Sequence, residues 1–513
     1  MAGSDIRDQV GGRREHPLEE VKGCVQRANR VGWESDRMWN SNFDPAQAEP
    51  ARLFERLAGE PGAFWIDAGD GTDAFLSAWP DARLSIERGG QVKLEDGGRH
   101  RTLADDPLAA LERFVSEGTS AAPAGRAPRV VGALAYDLGP SIEPRMRLAR
   151  GAGDGLPLAV LARYPAVAVC RRERPDAAWS VHVEADRPEA AERLVAALRA
   201  PASARPVAQA ASVLTESPDR EEYLRAVARA QELIARGDLY QVNLAQRFVV
   251  DDVADPARIF LRLREVQPMA RGCFLDAGGF TLLSNSPERF LRVRDDGIET
   301  EPIKGTRPRG ASAPEDDAQR HDLTSDTKER AEHVMIVDLE RNDLGRVCRS
   351  GSVTVPSLMR VESFATLHHM VSTVRGRLRP EVGLADLLRA TFPGGSVTGA
   401  PKIRATQVIA ELEAGPRGFY TGALLWFRGP RDFDSNIAIR TAVVRDGRLV
   451  HSVGAGIVAD SDAEREVREC RLKAAPLLRA AGLSDDAVAV RRSPANAGLA
   501  SPVVEGHGTE PSR

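Results

Sequence analysis

Residues 420–459, YTGALLWFRGPRDFDSNIAIRTAVVRDGRLVHSVGAGIVA, decide the fold class. They contain three strand-like runs, YTGALLWF, SNIAIRTAVV and RLVHSVGAGIVA, with turn residues between them. Three earlier runs, FTLLSN, FLRVRD and GIETEPI, follow one another in the same way. Strands that come in adjacent pairs, rather than alternating one-to-one with helices, favour antiparallel sheet and an α+β fold over a doubly wound one.

The rest of the chain divides into portions by composition. In residues 51–200, short apolar runs alternate with DGG and GDG clusters, and LAALERFV and AAERLVAAL are typical of helices, so we predict an N-terminal α+β portion. The Ala/Pro/Ser-rich residues 201–216 are interpreted as a linker to the catalytic portion, residues 217–484. The charged residues 1–50 and the Pro/Gly/Ser-rich residues 485–513 are expected to be poorly ordered.

The catalytic portion is predicted to open with a helix. Ser217 is its expected N-cap, Pro218 its first residue and Gly237 its stop. Further helices are predicted near residues 325–340, 383–391, 401–413 and 462–475.

Bulk composition excludes several classes of protein. The 513 residues include 70 basic and 74 acidic side chains, a net charge of -4, which predicts neither a nucleic-acid partner nor a membrane surface. The first twenty residues are polar, and no run approaches the ~20 apolar residues of a membrane span. The five cysteines form no C-x-x-C pair, which argues against a disulfide framework or a thiolate zinc site. A cytoplasmic location is expected.

Two predicted helices each carry carboxylates three residues apart, on one helical face. The pairs are Glu329 with Glu332 and Glu466 with Glu469, and Lys473 lies one turn beyond Glu469. The second helix is predicted to start with a capping box formed by Ser461 and Glu464. Magnesium prefers such hard oxygen ligands, so the two faces predict a Mg²⁺ site if they converge. Each glutamate taken alone is equally compatible with a solvated helix face.

Three other side chains are candidates for catalysis. Lys304, in PIKGTRPR after a strand, is a nucleophile if its pKa is lowered, and a surface lysine otherwise. Glu288, in SPERF, could act as an acid or base, and His369, in LHHMVSTVRG, could equally be a core histidine. The segment FPGGSVTGAPK fails as a phosphate loop, because Gly399 is followed by Ala-Pro-Lys. With Pro401 in the first turn of the next helix, it leaves a glycine-rich helix N-terminus suited to a carboxylate.

Nine ordered runs between about Ser217 and Leu478 are collectively specific. They are GDLYQVNLAQRF, SPERF, PIKGTRPR, ERAEHVMIVDLERNDLGRV, HHMVSTVRG, FPGGSVTGAPKIRA, GFYTGALLW, NIAIRT and GAGIVADSDAEREVRECRLKA. On these runs the chain closely resembles the chorismate-utilising family, which includes anthranilate synthase component I, aminodeoxychorismate synthase component I and the isochorismate and salicylate synthases. The resemblance implies a large sandwich of two antiparallel β-sheets flanked by helices, with the active site between the sheets.

The resemblance also implies roles for individual residues. Glu332 and Glu469 would be the principal Mg²⁺ ligands, supported by Glu329 and Glu466 directly or through water. Tyr420 and Arg440 match the positions that hold the enolpyruvyl carboxylate of chorismate. The remaining matched residues are those around the ring and its carboxylate, namely His369, Gly454, Ala455, Gly456 and Lys473.

Two positions indicate the subgroup within the family. Members that add water to the ring carry lysine where this chain has Gln241. Anthranilate synthases typically carry alanine where this chain has Lys304, as the aminodeoxychorismate synthases do. The resemblance therefore implies amination of chorismate at C4 to 4-amino-4-deoxychorismate, with Lys304 as covalent catalyst and Glu288 as general acid and base. Anthranilate synthesis with pyruvate release is the alternative, and Lys304 disfavours it. A non-catalytic binding or scaffold subunit is a further alternative, which would predict the loss of Glu288, Glu332, Glu469 or Arg440, and all four are present.

The source of ammonia is expected to be another protein. None of the five cysteines lies in a G-x-C-x-G run, the glutaminase nucleophile elbow. The resemblance thus implies a separate glutamine amidotransferase subunit as partner, with free ammonium as a substitute in vitro.

Overall fold

The computed structural model describes residues 38–40, 43, 48–68, 71–120, 125–151, 153–202, 214–269, 271–364 and 367–484. The segments predicted to be a linker, 201–216, and poorly ordered ends, 1–50 and 485–513, lie largely or wholly outside the described residues. None of the described helices combines the length and apolar composition that a bilayer-spanning segment requires.

The described residues form twenty-four strands and eleven α-helices. The strands are β1 (Met38–Asn40), β2 (Phe64–Asp67), β3 (Asp73–Ser77), β4 (Ala82–Ile86), β5 (Val92–Asp96), β6 (Arg99–Leu103), β7 (Val130–Leu134), β8 (Ala159–Arg163), β9 (Ala166–Arg171), β10 (Ser180–Ala185), β11 (Leu214–Ser217), β12 (Gln241–Val250), β13 (Arg271–Asp276), β14 (Thr281–Ser286), β15 (Arg289–Arg294), β16 (Gly297–Glu301), β17 (Ile303–Pro308), β18 (Thr354–Ser363), β19 (Leu367–Arg377), β20 (Gly399–Ala400), β21 (Ala423–Gly429), β22 (Asp432–Ile437), β23 (Thr441–Arg445) and β24 (Arg448–Ile457). The helices are α1 (Pro50–Leu57), α2 (Pro107–Ser120), α3 (Gly139–Ile142), α4 (Pro188–Arg199), α5 (Arg220–Ala235), α6 (Pro256–Val266), α7 (Ala313–Ser325), α8 (Thr327–Gly345), α9 (Leu384–Thr391), α10 (Lys402–Leu412) and α11 (Ala463–Ala480).

The strands form two twelve-stranded sheets, and every pairing among them is antiparallel. Sheet A runs β1-β10-β9-β3-β2-β13-β14-β23-β24-β12-β11, with β20 beside β12. Sheet B runs β17-β19-β16-β15-β22-β21-β7-β8-β4-β5-β6, with β18 beside β19. The predicted α+β sandwich of two antiparallel sheets is confirmed.

Both sheets combine strands from the N-terminal and the catalytic portions. In sheet A, β2 pairs with β13, and in sheet B, β7 pairs with β21. The side chains of Val130–Leu134 are all buried, as are those of Ala423–Phe427. Burial on both faces explains why these segments read as continuous apolar runs rather than as alternating ones.

Three apolar layers hold the sandwich together. Leu53 and Leu477, from α1 and α11, pack in the layer that covers the outer face of sheet A. Leu111 of α2 lies in the layer that covers the outer face of sheet B. Between the sheets, Leu282 of β14 and Leu424 of β21 belong to a third cluster. The interior between the sheets is thus a packed core around which the polar residues described below are placed.

Three helix starts differ from the sequence prediction. Helix α5 begins at Arg220, because the Asp219 carboxylate accepts the backbone N–H of Glu222 and Glu222 reciprocates, whereas Ser217 ends a strand. This reciprocal capping box outweighs the Ser-Pro signal. The Gly237 stop is confirmed, since its φ of +82° follows the helix.

The second difference concerns α11. Its N-cap is Asp462, whose carboxylate accepts the N–H of Arg465, and not Ser461. The Ser461 hydroxyl instead accepts the N–H of Val458 and holds the preceding turn. An aspartate one residue later competes successfully for the same helix N–H groups. Similarly, Pro401 is the N-cap of α10, one residue before its first turn.

Candidate active site

Lys304 lies where the two sheets meet. It belongs to β17 of sheet B, is half-buried, and faces Gly456 on β24 of sheet A. A Cβ atom placed on Gly456 would lie 3.3 Å from the Lys304 Nζ and 2.2 Å from the Gln241 Nε2. Gly456 therefore leaves the space that the Lys304 amine and the Gln241 amide occupy. Three residues predicted for the site are brought together here.

Glu288 is the buried acid of the site. It precedes β15, its side chain is enclosed, and its Oε1 accepts a hydrogen bond of 2.5 Å from the Ser396 hydroxyl. Burial raises its pKa to about 7, against the Ser396 hydrogen bond and the Lys304 ammonium, which favour the ionised form. A carboxyl group that titrates near neutral pH can both donate and accept a proton.

The predicted site residues of α11 contact strand β24. The Lys473 ammonium donates to the carbonyl of Gly454 at 2.9 Å and lies 2.6 Å from the Glu469 carboxylate. Burial raises the pKa of Glu469, but the adjacent Lys473 outweighs it and holds that pKa below its usual range. Ala455, between the two glycines, pairs with Leu244 of β12. The end of α11 is thereby tied to sheet A.

Tyr420 and Arg440 lie beside this group. A Cβ on Gly454 would lie 2.6 Å from the Tyr420 hydroxyl and 2.8 Å from the Asn243 Oδ1. Burial raises the pKa of Tyr420, so its hydroxyl remains a neutral donor. Arg440, with a φ of +51°, donates to the carbonyl of Lys473 at 3.3 Å. A cation and a phenol are thus available for an anionic group.

His369 is enclosed in β19. Its Nδ1 lies 3.0 Å from the Thr306 hydroxyl. Burial, together with the charges of Arg440 and Lys473, lowers its pKa to about 4. The imidazole is therefore neutral at physiological pH and acts as a hydrogen-bonding group rather than as a cation.

The four glutamates of α8 and α11 have unequal surroundings. Burial raises the pKa of Glu332, and neighbouring Glu329 adds to that effect. Burial likewise raises the pKa of Glu466, with a contribution from Glu469. Glu329 is paired with Arg307 at 2.7 Å. Among these four glutamates, Glu332 and Glu466 are therefore the two whose charge is least compensated by neighbouring cations.

The carboxylate oxygens of these four glutamates are the kind of ligand that magnesium prefers. In the described part of the chain, no group of three or more histidine, cysteine, aspartate or glutamate side chains could by itself hold a metal ion. Magnesium is, however, commonly held by one or two carboxylates, water and an anionic substrate. The raised pKa values of Glu332 and Glu466 show that a cation near them would be favourable.

Three site neighbours were not predicted. Ser396 bonds to Glu288, Asn243 lies beside Tyr420, and Lys328 is paired at 3.2 Å with Asp460, just before α11. Ser396 belongs to the quoted FPGGSVTGAPK segment, but its contact joins residues 108 positions apart. No local pattern identifies such a contact.

A separate cavity of about 570 Å³ lies away from these residues. Strands β4, β5 and β6, the turn between β13 and β14, and Arg445 line it. None of the predicted site residues contributes to its wall.

The comparisons with known proteins agree with the fold and the matched motifs. The sequence profile of the chorismate binding enzymes matches residues 61–479. The chain belongs to this family of chorismate binding enzymes.

Relatives of two kinds are similar to the chain. The aminodeoxychorismate synthase component 1 of Klebsiella aerogenes is 37% identical over 425 residues, 81% of this chain and 93% of that protein. The anthranilate synthase component 1 of Geobacillus stearothermophilus is 35% identical over 463 residues, 84% of this chain and 91% of that protein. The aminodeoxychorismate synthase of Streptomyces griseus is 47% identical over 262 residues, 51% of this chain, and this match covers only 36% of its length.

Solved structures support the fold. Anthranilate synthase component I from Streptococcus pneumoniae TIGR4 superposes with a TM-score of 0.69 at 28% identity, over 93% of this chain and all of that chain. The menaquinone-specific isochorismate synthase of Escherichia coli gives 0.64 at 17% identity, over 91% of this chain and all of that chain, a likeness of fold alone.

Proposed function

We propose that the chain aminates chorismate at C4, using ammonia, to give 4-amino-4-deoxychorismate. One observation carries the proposal: the Lys304 amine lies at the junction of the two sheets, where its charge acts on Glu288, Glu332 and Glu469. An amine in this position is placed to attack a substrate ring bound between the sheets.

The residues beside Lys304 favour amination over hydration. Gln241 occupies the position at which water-adding members of the family carry a lysine, and a neutral amide cannot deprotonate water. Ammonia is already a nucleophile when neutral and needs no such base. The Klebsiella aerogenes and Streptomyces griseus relatives are both named aminodeoxychorismate synthases, which agrees with this assignment.

The first chemical step begins after the Lys304 ammonium has released a proton to solvent, and it forms a bond from the neutral Lys304 nitrogen to ring C2. The two ring double bonds each shift by one position, the C4–O bond breaks, and Glu288 gives its proton to the departing hydroxyl, which leaves as water. Glu288 is then a carboxylate and the lysine nitrogen carries a positive charge. A pKa of about 7 lets Glu288 begin this step protonated near neutral pH.

The second step restores the enzyme. Ammonia forms a bond to C4, the two ring double bonds shift back, and the C2–N bond breaks, so that Lys304 leaves as a neutral amine. Glu288 accepts a proton from the new C4 ammonium. The sum is chorismate and ammonia converted to 4-amino-4-deoxychorismate and water.

The two carboxylates of chorismate would bind to two neighbouring sets of these residues. Arg440 and Tyr420 receive the enolpyruvyl carboxylate, and Lys473 with the backbone from Gly454 to Gly456 receives the ring carboxylate. The Lys473 ammonium already faces this backbone through the Gly454 carbonyl. Charge-assisted hydrogen bonds of this kind orient an anion strongly.

Magnesium is proposed as the cofactor. Glu332 and Glu469 would hold it, with Glu329 and Glu466 in support directly or through water. When bound, it supplies positive charge to the ring carboxylate. The proposal is supported by the carboxylate donors on α8 and α11 and by the raised pKa of Glu332 and Glu466.

A separate glutamine amidotransferase is the proposed ammonia source. The component 1 names of the Klebsiella aerogenes and Geobacillus stearothermophilus relatives agree with a partner subunit. Free ammonium should replace the partner in vitro.

The test is a product assay with chorismate, magnesium and ammonium, resolving 4-amino-4-deoxychorismate from anthranilate by mass and fluorescence. Lys304→Ala should lower amination about 10²- to 10⁴-fold, as loss of a covalent catalyst does. Lys93→Ala is the matched control, because Lys93 is an exposed lysine of β5 paired with Glu87.

Other outcomes would change the assignment. Anthranilate with pyruvate would favour the second candidate function, anthranilate synthesis, with which the Geobacillus stearothermophilus relative agrees. Wild-type activity in Lys304→Ala would refute the covalent lysine. A folded protein without turnover would indicate a non-catalytic subunit.

A further inference from the structure

The turn at residues 394–396 presents one hydroxyl to Glu288. All described residues from 391 to 400 are buried except Ser396, which is half-buried and points its hydroxyl at the Glu288 Oε1, 2.5 Å away. The backbone N–H of Glu288 is held in turn by the Ser286 hydroxyl at 3.2 Å. Glu288 is thus fixed through its backbone by Ser286 and through its carboxyl group by the Ser396 hydroxyl, with a further hydrogen bond from the Ile303 backbone to the same carboxyl.

The turn itself is fixed from behind by α8. The N–H of Gly395 donates to the buried Glu340 Oε1 at 3.2 Å. A Cβ on Gly395 would lie 2.6 Å from the Leu339 Cδ2 and 3.1 Å from that same Oε1. Glycine is therefore required for the close approach that sets the position of Ser396.

Among the described residues, no cationic side chain forms an ion pair with Glu340. Lys402 is paired with Asp343 and donates to the carbonyl of Thr391 at 3.0 Å. Burial raises the pKa of Glu340, and the Asp343 and Glu288 carboxylates raise it further. A largely protonated Glu340 can still accept the Gly395 N–H while adding little negative charge next to Glu288.

We propose that Ser396 is a positioning residue for the acid and base function of Glu288, with Glu340 anchoring the turn that carries it. The inference rests on the proposed function for the identity of the reaction. A serine hydroxyl can donate to the carboxylate and accept from the carboxylic acid. Ser396 can therefore hold the Glu288 side chain in the same position in both protonation states. A group that only donates hydrogen bonds could not do this.

The hydrogen bond also sets the proton affinity of Glu288. Donation to the carboxylate favours the ionised form, so its removal should raise the pKa of Glu288. The other charged groups that act on Glu288 are Lys304 on β17, Arg271 on β13 and, from α8, Glu340. These are unchanged in a Ser396 variant, so a change in pH dependence reports on the hydroxyl.

The test compares Ser396→Ala with the conservative Ser396→Thr. The alanine variant should lose about 10- to 100-fold in kcat, with KM for chorismate within about threefold of the wild type. The alkaline limb of its pH profile should move to higher pH by about 1. Ser396→Thr should restore both. Ser77→Ala, which removes a buried hydroxyl that donates to the Ala166 carbonyl in sheet A, should leave the pH profile unchanged.

A wild-type kcat and pH profile in Ser396→Ala would overturn the proposal, as would a change confined to KM. If the wild type makes anthranilate, the proposed function fails but the same pH comparison still tests Ser396. If it makes no product, infrared difference spectroscopy of the protonated Glu288 carboxyl, assigned with Glu288→Gln, takes its place. The carboxyl band should then persist to higher pH in Ser396→Ala, and an unchanged titration would refute the role.

Discussion

Buried carboxylates occur in two settings in this protein, and they differ in what surrounds them. The first group of acids lies on sheet B, where guanidinium groups from both sheets surround them. This arginine–carboxylate network consists of Arg271, Arg289, Arg292, Arg360, Arg375, Glu299, Glu301 and Asp434. In the candidate active site, by contrast, Glu288, Glu332 and Glu466 have raised pKa values because burial outweighs their neighbouring cations.

This difference distinguishes buried acids that stabilise the fold from buried acids that are available for catalysis. In the network, burial raises the pKa of Glu301, but Arg289, Arg271 and Arg360 outweigh it and the pKa ends below its usual value. Such acids remain ionised and hold strands together. A carboxyl whose pKa is raised is costly to ionise in the fold and available for proton transfer. The two settings therefore respond oppositely to substitution and to pH.

The largest expected effect comes from breaking the network. Arg289→Ala would leave Glu299, Glu301 and Asp434 buried without their shared guanidinium. Removing one partner from buried pairs should cost about 3 to 5 kcal/mol in the free energy of unfolding. Urea unfolding of the wild type and of Arg289→Ala measures this change in the free energy of unfolding. A loss below about 1 kcal/mol would mean that the remaining arginines neutralise these acids.

Glu288→Gln should have the opposite effect on stability. The pKa of Glu288 is raised from 4.5 to about 7, so the fold is penalised as the pH rises through that interval. Glutamine, which never ionises, should therefore stabilise the protein by about 2 to 3 kcal/mol at pH 8 and by little at pH 4.5. Melting temperatures at both pH values test the sign, and an equal difference at both would contradict the raised pKa. Activity should fall about 10²- to 10⁴-fold.

The smallest effect is expected at the rim of the network. Arg375 contacts Glu299 at 3.0 Å, but its side chain is 56% exposed. Solvent weakens such pairs, so Arg375→Ala should cost less than about 1 kcal/mol. The comparison with Arg289→Ala uses the same carboxylate, so similar losses would show that burial is not what distinguishes them.

The sequence predicts the fold class better than it predicts element starts. Adjacent strand runs were sufficient to predict antiparallel sheet and an α+β fold, because each strand carries its own apolar pattern, whereas the sandwich of two sheets was implied by the family resemblance. Helix α6 was missed although Asp255 and Pro256 signal its start. Helix α7 has a single buried residue, Leu323, so it offers almost no apolar periodicity to detect.

Site residues could be predicted from the sequence only where they lie within recognisable sequence motifs. Lys304, Gln241 and Gly456 were named from the family resemblance, and the structure places them together. The Ser396 contact with Glu288 depends on the packing of α8 behind a distant turn, which no local pattern encodes. Pairings across long sequence separations are likewise invisible to periodicity.

The interleaving of the two portions has a consequence for biogenesis. One edge of β7 stays unpaired until β21 has been synthesised, and one edge of β2 stays unpaired until β13 has been synthesised. Because β21 follows β7 by roughly 290 residues, the nascent chain holds open sheet edges for many seconds at ordinary translation rates of about 5–20 residues per second. Early-made strands with exposed edges are aggregation-prone. Synthesis of this protein should therefore depend on chaperones that shield its first two hundred residues until the ribosome has delivered the rest.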